Sequence, residues 1–432
     1  MKSIQRVAIV GGARIPFARQ NTAYAEIGNS EMLTAALTCL VERFSLHGQR
    51  LGEVAAGAVL KHSRDFNLTR EATLASGLSA QTPAYDVQQA CATSLQSTLQ
   101  ISNKIALGQI DSGIAAGVDS ASDAPIAVNE DLRHLLLKSS RTKTLTERLQ
   151  LLAQVRPSML VPAIPNVNER RTGFSMGEHC ELMVMQWNIA RAAQDQLALA
   201  SHQNAALAYE LGFFDDLVVP FAGLERDNNL RTDTSLEKLA KLQPVFDKTS
   251  GRGTLTAGNS TPLTDGAAAV LLASEAWATA HAQIPLAWFI DAESAAVDYF
   301  GPQAEGLLMA PTYAVPRLLA RNGLTLQDFD YYEIHEAFAG QVLCTLAAWE
   351  DENYCRDKLG LAQALGAIDR SRINVNGGSL GLGHPFAATG ARIVASAAKH
   401  LASRREQTGK SARTLISICA AGGMGVAAIL EG

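Results

Sequence analysis

The sequence lacks the patterns that mark several large classes of protein. No apolar run reaches the roughly 18 residues that a membrane-spanning helix needs. The net charge of −5 provides no general positive field for nucleic acid. Residues 1–6 run straight into the apolar residues 7–10, which leaves too little chain for a signal peptide. We therefore expect no transmembrane segment, no nucleic-acid partner and a cytoplasmic location.

Cysteine is sparse and unpatterned. Six cysteines are spread along 432 residues without a C-x-x-C pair, so neither a disulfide framework nor structural zinc is expected. No H-E-x-x-H or other metal-ligand spacing occurs, and we predict no metal ion at the functional site. A P-loop and a G-x-G-x-x-G turn after a strand are missing as well. The chain therefore lacks the usual phosphate-binding loops for ATP and nicotinamide cofactors, and we expect no tightly bound cofactor.

Short apolar runs alternate with helix-like stretches along the chain, which predicts an α/β fold. The strand candidates are residues 7–10, 57–60, 112–117, 268–273, 331–334 and 415–419. The helix candidates include residues 30–44, 94–107, 195–211 and 388–402.

The two ends of the chain resemble each other loosely. Residues 51–60 resemble residues 326–334, and residues 115–120 correspond to residues 419–423. An internal duplication would bring matching loops together at one interface, where a site could form.

These patterns predict three parts. An N-terminal half covers 1–122 and 254–280, and a C-terminal half covers 281–432. An inserted loop domain covers 123–253, which is richer in charge and fits neither copy.

One basic segment stands out within the insertion. Residues 133–156 carry six cationic side chains against one acidic side chain. Leu145, Leu149 and Leu152 follow helical spacing. A basic amphipathic helix can dock on a membrane surface or a partner. The alternative is an ordinary surface helix with one solvated face and one core face.

Cys91 is a candidate nucleophile. It follows an extended-looking stretch and precedes a predicted helix, whose dipole would favour the thiolate. Its small neighbours, Ala90 and Ala92, would let a substrate approach. The alternative is a buried and inert cysteine.

His384 is a candidate base. Four of the seven residues before it are glycine, which indicates close backbone approaches. Pro385 suits the first turn of the helix that follows. His384 could take the thiol proton of Cys91, and the alternative is a histidine that caps the backbone.

Cys419 and His335 follow apolar strands in the C-terminal third. Three of the six residues after Cys419 are glycine, and N–H groups in such a turn can face an oxyanion. A thiol there can move a proton to or from carbon. His335 could donate to a carbonyl oxygen directly or through a water. The alternatives are a core cysteine at a strand end and a satisfied core histidine.

Taken together, these segments resemble the thiolase family, the acetyl-CoA C-acyltransferases, from Arg14-Ile15-Pro16-Phe17 to the C-terminus. The matching motifs occur in the family's order: Cys91 with its helix, residues 116–120, 175–178, 201–202, 256–267, 335–338, 383–385 and 419–425.

The resemblance implies the thiolase fold, with two βαβαβαββ-type halves in a layered α/β/α/β/α core and an inserted loop domain. It also implies a Claisen exchange on Cys91, with His384 as its base and Cys419 as the acid/base at the substrate α-carbon. His335 and His384 would form one oxyanion hole. The backbone N–H groups of Cys91 and Ala421 would form the other.

Coenzyme A and acyl-CoA would then be substrates. The insertion would bind coenzyme A, and the resemblance places Ser175, Met176, Arg231 and Thr261 at contact positions. It also implies a homodimer or homotetramer.

Three features resemble the thiolase subunits of fatty-acid oxidation multienzyme complexes. They are His335 where many thiolases have Asn, Thr261 before Pro262 where many have Ser, and the long insert around residues 133–171. Such subunits cleave 3-ketoacyl-CoA in β-oxidation and pair with a hydratase/dehydrogenase chain, and some touch membranes. The resemblance thus implies such a partner and a peripheral membrane contact through residues 133–156.

Two other functions remain. A ketoacyl-synthase-like condensing enzyme shares the fold but lacks a second cysteine in the C-terminal glycine-rich loop, so Cys419 favours a thiolase. A non-catalytic acyl-CoA-binding scaffold has no need of Cys91, His335, His384 and Cys419 together.

Overall fold

The computed structural model describes residues 4–165 and 168–432, and within them it contains ten strands and fourteen α-helices. The strands are β1 (Val7–Arg14), β2 (Ala18–Arg19), β3 (Glu53–Ala56), β4 (Ala84–Asp86), β5 (Ser112–Asp119), β6 (Thr264–Ser274), β7 (Ala287–Ala296), β8 (Tyr331–Ile334), β9 (Arg413–Ala420) and β10 (Met424–Glu431). The helices are α1 (Asn29–Arg43), α2 (Leu68–Ala75), α3 (Thr93–Ala106), α4 (Glu130–Arg141), α5 (Leu145–Leu152), α6 (Met176–Gln186), α7 (Arg191–Glu210), α8 (Leu236–Ala240), α9 (Glu275–Ala280), α10 (Pro311–Asn322), α11 (Ala339–Glu350), α12 (Glu352–Asp357), α13 (Ser379–Leu382) and α14 (Thr389–Thr408).

The strand order reveals two matching halves. Hydrogen bonds link the strands in the order β4-β3-β5-β6-β1-β7-β10-β9-β8, and β2 pairs with β6. From the central β1–β7 contact, the order β1-β6-β5-β3 on one side mirrors β7-β10-β9-β8 on the other. In both halves the first two pairings are antiparallel and the third is parallel. The predicted internal duplication is therefore confirmed.

Three hydrophobic cores separate the layers of the molecule. The central core contains α3 and α14, with Leu95 and Val394 among its fully buried side chains. A second core packs α1 and α2 against the outer face of the first half. A third packs α10 and α11 against the outer face of the second half. This arrangement is the predicted α/β/α/β/α layering.

The two central helices approach each other closely. A Cβ atom added at Gly390 of α14 would lie 2.3 Å from the backbone nitrogen of Leu95 in α3. The backbone N–H of Ala391 donates to Ser94 Oγ across the same contact at 2.8 Å. Cys91 directly precedes α3 and His384 shortly precedes α14, so this packing sets the separation of the two side chains.

The prediction of a strand at residues 57–60 is wrong. The strand in this region is β3, which ends at Ala56, one residue before the predicted strand begins. At Gly57 an added Cβ would lie 1.8 Å from the carbonyl oxygen of Val87. The next backbone donors, Val59 and Leu60, bind Asp119 Oδ1 at 2.9 and 2.7 Å instead of a neighbouring strand. The chain therefore leaves the sheet at Gly57. The other strand and helix predictions all overlap observed elements.

The predicted amphipathic helix at residues 133–156 is two helices, α4 and α5. Thr142 is extended, and the hydroxyl of Thr144 accepts a hydrogen bond from Glu147 N to start α5. Leu145, Leu149 and Leu152 are 73%, 58% and 45% exposed. The interpretation with these leucines on a core face is therefore wrong. Among the described helices, none is long and apolar enough to cross a membrane.

Candidate active site

Cys91 lies in a short 3-10 turn, Ala90–Ala92, directly before α3. Ala90 has a φ of 45°, a left-handed conformation that is unusual for a residue with a side chain. Thr93 secures the turn, since its hydroxyl donates to Ala90 O at 2.7 Å and accepts from Gln89 N at 2.9 Å. The turn leaves the Cys91 side chain buried but for a small exposed fraction of 8%.

His384 meets Cys91 from the other half of the molecule. Its Nε2 lies 3.1 Å from Cys91 Sγ, and its Nδ1 lies 2.6 Å from Thr389 Oγ1. Its backbone N–H donates to Thr264 Oγ1 at 2.8 Å, which fixes the loop. When Nδ1 donates to the Thr389 oxygen, Nε2 presents its lone pair to the thiol. The two side chains, distant in sequence, thus form a thiol–imidazole pair.

His335 lies against this pair. Its ring centroid is 4.2 Å from that of His384, and its Nδ1 is 2.9 Å from Ser379 Oγ. The same oxygen accepts a hydrogen bond from Arg392 Nη2 at 3.0 Å. Because a guanidinium only donates, the Ser379 hydroxyl hydrogen is free for His335 Nδ1, and the neutral ring then carries its proton on Nε2. This Nε2 is buried and has no hydrogen-bond partner among the described residues.

Cys419 lies near the end of β9 and is buried. The following loop joins β9 to β10 through two left-handed glycines, Gly422 and Gly423, with φ values of 78° and 72°. Burial raises the pKa of the Cys91 thiol, and the backbone N–H groups of Ala421 and of Cys91 itself partly offset this rise. Both N–H groups therefore lie near the Cys91 sulfur.

Burial dominates the protonation of the site. It raises the pKa of Cys91 to about 12, and the nearby Asp119 charge adds to this. Burial lowers the pKa of His384 to about 3, and the positive charge of Arg392 acts in the same direction. Both shifts favour a neutral thiol beside a neutral imidazole. Desolvation thus opposes the thiolate that the helix dipole is expected to favour.

Burial also shifts the pKa values of His335 and Cys419. Burial lowers the pKa of His335 well below its usual value, with His384 and Arg392 contributing. Burial also raises the pKa of Cys419 well above the ordinary thiol value, and the charge of Cys91 adds to the rise. The two thiols therefore lie close enough to influence each other.

Asp119 is a residue whose role the sequence did not reveal. Its Oδ2 accepts the backbone N–H of Ala387 at 2.7 Å, while its Oδ1 holds the segment after Gly57. Burial raises the pKa of this carboxyl group to about 7. Asp119 thus ties the end of β5 to the loop that carries His384. An acidic residue ending an apolar strand was the available signal.

Glu169 is a second residue whose role the sequence did not reveal, and it lies in the predicted insertion. Its Oε1 accepts the backbone N–H of Gly422 at 2.7 Å, and its Oε2 accepts the hydroxyl of Tyr299 at 3.0 Å. Gly422 directly follows Ala421, so Glu169 holds the loop that brings the Ala421 N–H to Cys91. Nothing in the local sequence distinguishes Glu169 from its charged neighbours.

A cavity of about 360 Å³ lies beside this site. Arg231 and Thr261, two of the predicted coenzyme A contacts, line it, together with Arg19 and Lys238. The backbone N–H of Thr261 donates to Ala337 O at 3.1 Å, which joins the cavity wall to the segment after His335.

The other two predicted contacts, Ser175 and Met176, lie at the start of α6 instead. Ser175 caps this helix through a reciprocal pair of bonds with Glu178. Met176 packs in the same cluster as Phe246, which lines the cavity.

The mirrored halves and the buried thiol–imidazole pair between them define a thiolase-fold protein. Family models agree: "Thiolase, N-terminal domain" matches residues 7–276, and "Thiolase, C-terminal domain" matches residues 286–432. The chain belongs to the thiolase family.

Individual relatives cover nearly the whole chain. A 3-ketoacyl-CoA thiolase of Photorhabdus laumondii is 41% identical, with 99% of this chain and 97% of that protein covered. One from Yersinia pestis is 40% identical with the same coverage. The crystal structure of Bacillus anthracis acetyl-CoA acetyltransferase superimposes with a TM-score of 0.81, at 29% identity and full coverage of both chains. The crystal structure of human mitochondrial 3-ketoacyl-CoA thiolase in complex with CoA also superimposes with a TM-score of 0.81. It is 27% identical, and the match covers 99% of this chain and 98% of that chain.

Proposed function

We propose that this protein is a 3-ketoacyl-CoA thiolase, an acetyl-CoA C-acyltransferase that cleaves 3-ketoacyl-CoA reversibly through an acyl-cysteine intermediate. The observation that carries the proposal is the 3.1 Å contact between Cys91 Sγ and His384 Nε2, and the backbone N–H groups of Cys91 and Ala421 near this sulfur support it. The names of the full-length relatives support the same activity.

In the first step the Cys91 sulfur attacks the 3-keto carbon while His384 takes the thiol proton. The bond between C2 and C3 then breaks, which leaves the acyl group on Cys91 and the electron pair on C2. Cys419 donates its proton to C2, and acetyl-CoA leaves. A neutral imidazole can accept a proton, so the lowered pKa of His384 is compatible with this role.

In the second step the thiol of coenzyme A gives its proton to the Cys419 thiolate and attacks the acyl group. Cys91 departs as a thiolate and takes back the proton from His384. The acyl group passes from one thioester to another, so the exchange is reversible. All three side chains return to their starting protonation states.

Two oxyanion holes stabilise the developing charges. The N–H groups of Cys91 and Ala421 face the tetrahedral intermediate on sulfur. His335 and His384 face the thioester oxygen of the enolate, and the unused Nε2 of His335 is a suitable donor. Such donors act strongly in a site from which water is excluded, because the local dielectric is low.

Coenzyme A is the substrate that the neighbouring cavity suits. Arg19 and Arg231 give it cations for phosphate groups, and a third cation, Lys238, is paired there with Asp233 at 2.6 Å. A solved structure similar to this chain is a complex with CoA. We assign Thr261 to the same cavity and place Ser175 and Met176 at its edge.

The wider organisation is part of the proposal. The N-terminal half covers 1–122 with 254–280, the insertion 123–253 and the C-terminal half 281–432. The chain works as a homodimer or homotetramer in the cytoplasm, in fatty-acid β-oxidation. A hydratase/dehydrogenase partner or a membrane surface contacts residues 133–156, where α5 exposes its leucines.

One assay tests the function. The protein is incubated with acetoacetyl-CoA and coenzyme A, and the loss of the Mg²⁺-enolate absorbance is followed. We expect turnover and an acyl adduct on Cys91 by mass spectrometry. A synthase-like enzyme would acylate Cys91 without thiolysis, and a binding scaffold would do neither. The absence of both turnover and adduct would exclude a thiolase.

A further inference from the structure

Three of the side chains assigned to the acyl chemistry also form a compact set of potential metal ligands. One ligand atom from each of Cys91, His335 and His384 lies within 4.8 Å of the other two, and all three side chains are buried. A thiolate with two imidazoles is a donor set that binds zinc in preference to calcium or magnesium. The same atoms that serve an acyl group can therefore serve a metal ion.

The ring orientations suit metal binding. The Nδ1 atoms are engaged by Ser379 and Thr389, at 2.9 and 2.6 Å. In His384 the Nδ1–H already donates to Thr389, which leaves Nε2 for a metal. In His335 the proton must move from Nε2 to Nδ1, where the second lone pair of the Ser379 hydroxyl oxygen can accept it. The Nε2 of His384 is already beside Cys91 Sγ, and the Nε2 of His335 has no hydrogen-bond partner in the described part of the chain.

We propose that Cys91, His335 and His384 form an inhibitory zinc site. Bond lengths of about 2.3 Å to sulfur and about 2.0 Å to nitrogen separate tetrahedral ligand atoms by about 3.5 Å. That spacing falls between the 3.1 Å of the Cys91–His384 pair and the 4.8 Å limit of the group. Three protein ligands leave the fourth position to water, as in other open zinc sites.

The charges around the group are mixed. Asp119 acts on the Cys91 sulfur and favours a cation. Arg392 acts on both histidines and opposes it. The charge of Arg392 is itself offset by two nearby carboxyl groups, those of Glu333 and Glu336. The positive and negative charges around the group thus partly offset each other.

Zinc binding and acylation exclude each other, because both use the sulfur of Cys91. When zinc binds, the thiol loses its proton to solvent and a sulfur–zinc bond forms. An acylated sulfur has no thiolate to offer. Zinc should therefore inhibit competitively against the acyl donor. The inhibition rests on the proposed function, whereas the binding does not.

Isothermal titration of the purified full chain with zinc chloride, in buffer free of added thiols, tests the binding. We expect one strong site per chain. Cys91→Ala and His335→Ala should each weaken it at least about 100-fold, because losing a residue that merely orients a ligand already costs about 10- to 100-fold. Cys39→Ala and His281→Ala are the matched controls, since Cys39 lies half-buried on α1 and His281 is exposed. Neither control should change the affinity.

A second measurement does not depend on the variants folding. Wild-type protein alkylated on Cys91 with iodoacetamide should lose the strong site. Cobalt added to untreated protein should give a sulfur-to-cobalt charge-transfer absorption that alkylation removes. Strong binding that survives alkylation or Cys91→Ala would overturn the proposal. So would loss of the site in Cys419→Ala with retention in Cys91→Ala.

The inhibition is measured separately, with each variant normalised to its own metal-free rate. Wild-type thiolysis should fall with zinc and recover with a chelator, and excess ketoacyl-CoA should protect it. His335→Asn should lose this sensitivity, since an amide is a poor zinc ligand. A chain without thiolase activity that still binds zinc through Cys91 would refute the function and keep the site. An active chain that zinc does not inhibit would refute the inhibition.

Discussion

Glu169 accepts a hydrogen bond from the backbone N–H of Gly422 at 2.7 Å. This bond joins the insertion to the loop whose preceding N–H, that of Ala421, faces Cys91. Glu169, in the predicted insertion, thus holds the loop that follows Cys419. It constrains a loop in which two successive glycines take left-handed conformations.

Glu169→Ala should slow acylation of Cys91 by about 10- to 100-fold, since displacing a reacting group by about 1 Å can cost that much. The KM for coenzyme A should change little, because Glu169 does not line the cavity. Stopped-flow acylation with steady-state kinetics measures both. Glu147→Ala, an exposed acid on α5, is the control. Glu169→Gln should recover part of the rate, because its amide oxygen can still accept from Gly422. An unchanged acylation rate in Glu169→Ala would contradict this role.

Cys419→Ala should still become acylated on Cys91 from acetyl-CoA. It should lose exchange of the acetyl methyl protons with solvent by at least about 100-fold, the scale of general acid–base catalysis. Mass spectrometry reports the acyl adduct, and proton NMR in deuterated buffer reports the exchange. Cys355→Ala, which removes another buried thiol, should keep both. Retained exchange in Cys419→Ala would remove this residue from its assigned role.

The rate at which iodoacetamide alkylates Cys91 should rise about tenfold per pH unit between about pH 7 and about pH 10, because only the thiolate reacts. The raised pKa of about 12 means that no plateau is reached in this range. Timed quenching and peptide mass spectrometry follow Cys91 alone. A plateau below about pH 8 would instead indicate a thiolate–imidazolium pair in the resting enzyme.

Gly390→Ala should lower the free energy of unfolding by about 1–3 kcal/mol, the usual cost of overpacking a core. The added Cβ would press on the backbone of Leu95, and the strain should also separate Cys91 from His384. Urea denaturation and thiolysis rates measure the two effects. Gln407→Ala, an exposed change near the end of α14, should affect neither. Wild-type stability in Gly390→Ala would show that the two central helices can move apart freely.

Replacing Leu145, Leu149 and Leu152 together by Ser should weaken membrane binding while leaving thiolysis intact. Burying apolar side chains of this size contributes about 1.5–3 kcal/mol each when complete. Co-sedimentation with phosphatidylglycerol vesicles measures the binding. If the wild type does not sediment, the surface serves a protein, and pull-down of a hydratase/dehydrogenase chain should then require the same leucines. Failure of both assays would reject the proposed contact.

The sequence predicted the elements well where one local pattern determined them. The strand at residues 331–334 has the predicted bounds, and the helix starts after Cys91 and near His384 follow from local signals. The strand at 57–60 failed because a distant carboxylate, Asp119, takes its backbone donors. Long-range partners of this kind leave no trace in a short window.

The site was only partly accessible to the same reasoning. Reactive side chains beside glycines pointed to His384 and Cys419, and a thiol between small residues before a predicted helix pointed to Cys91. Their protonation could not be predicted, because burial, which dominates the pKa values, depends on packing across the two halves. Glu169 was missed since its importance arises only from contact with Gly422, on the far side of the fold.

The position of β1 in the middle of the sheet has a consequence for synthesis. Val7 pairs with Ser274 on one side and with Phe289 on the other. At roughly 5–20 residues per second, a ribosome takes tens of seconds to deliver those partners. Until those partners are made, both edges of the first strand stay unpaired, and this apolar strand is prone to aggregation. All residues between β1 and β6 are made before these two strands can pair, so the nascent chain should depend on chaperones during this interval.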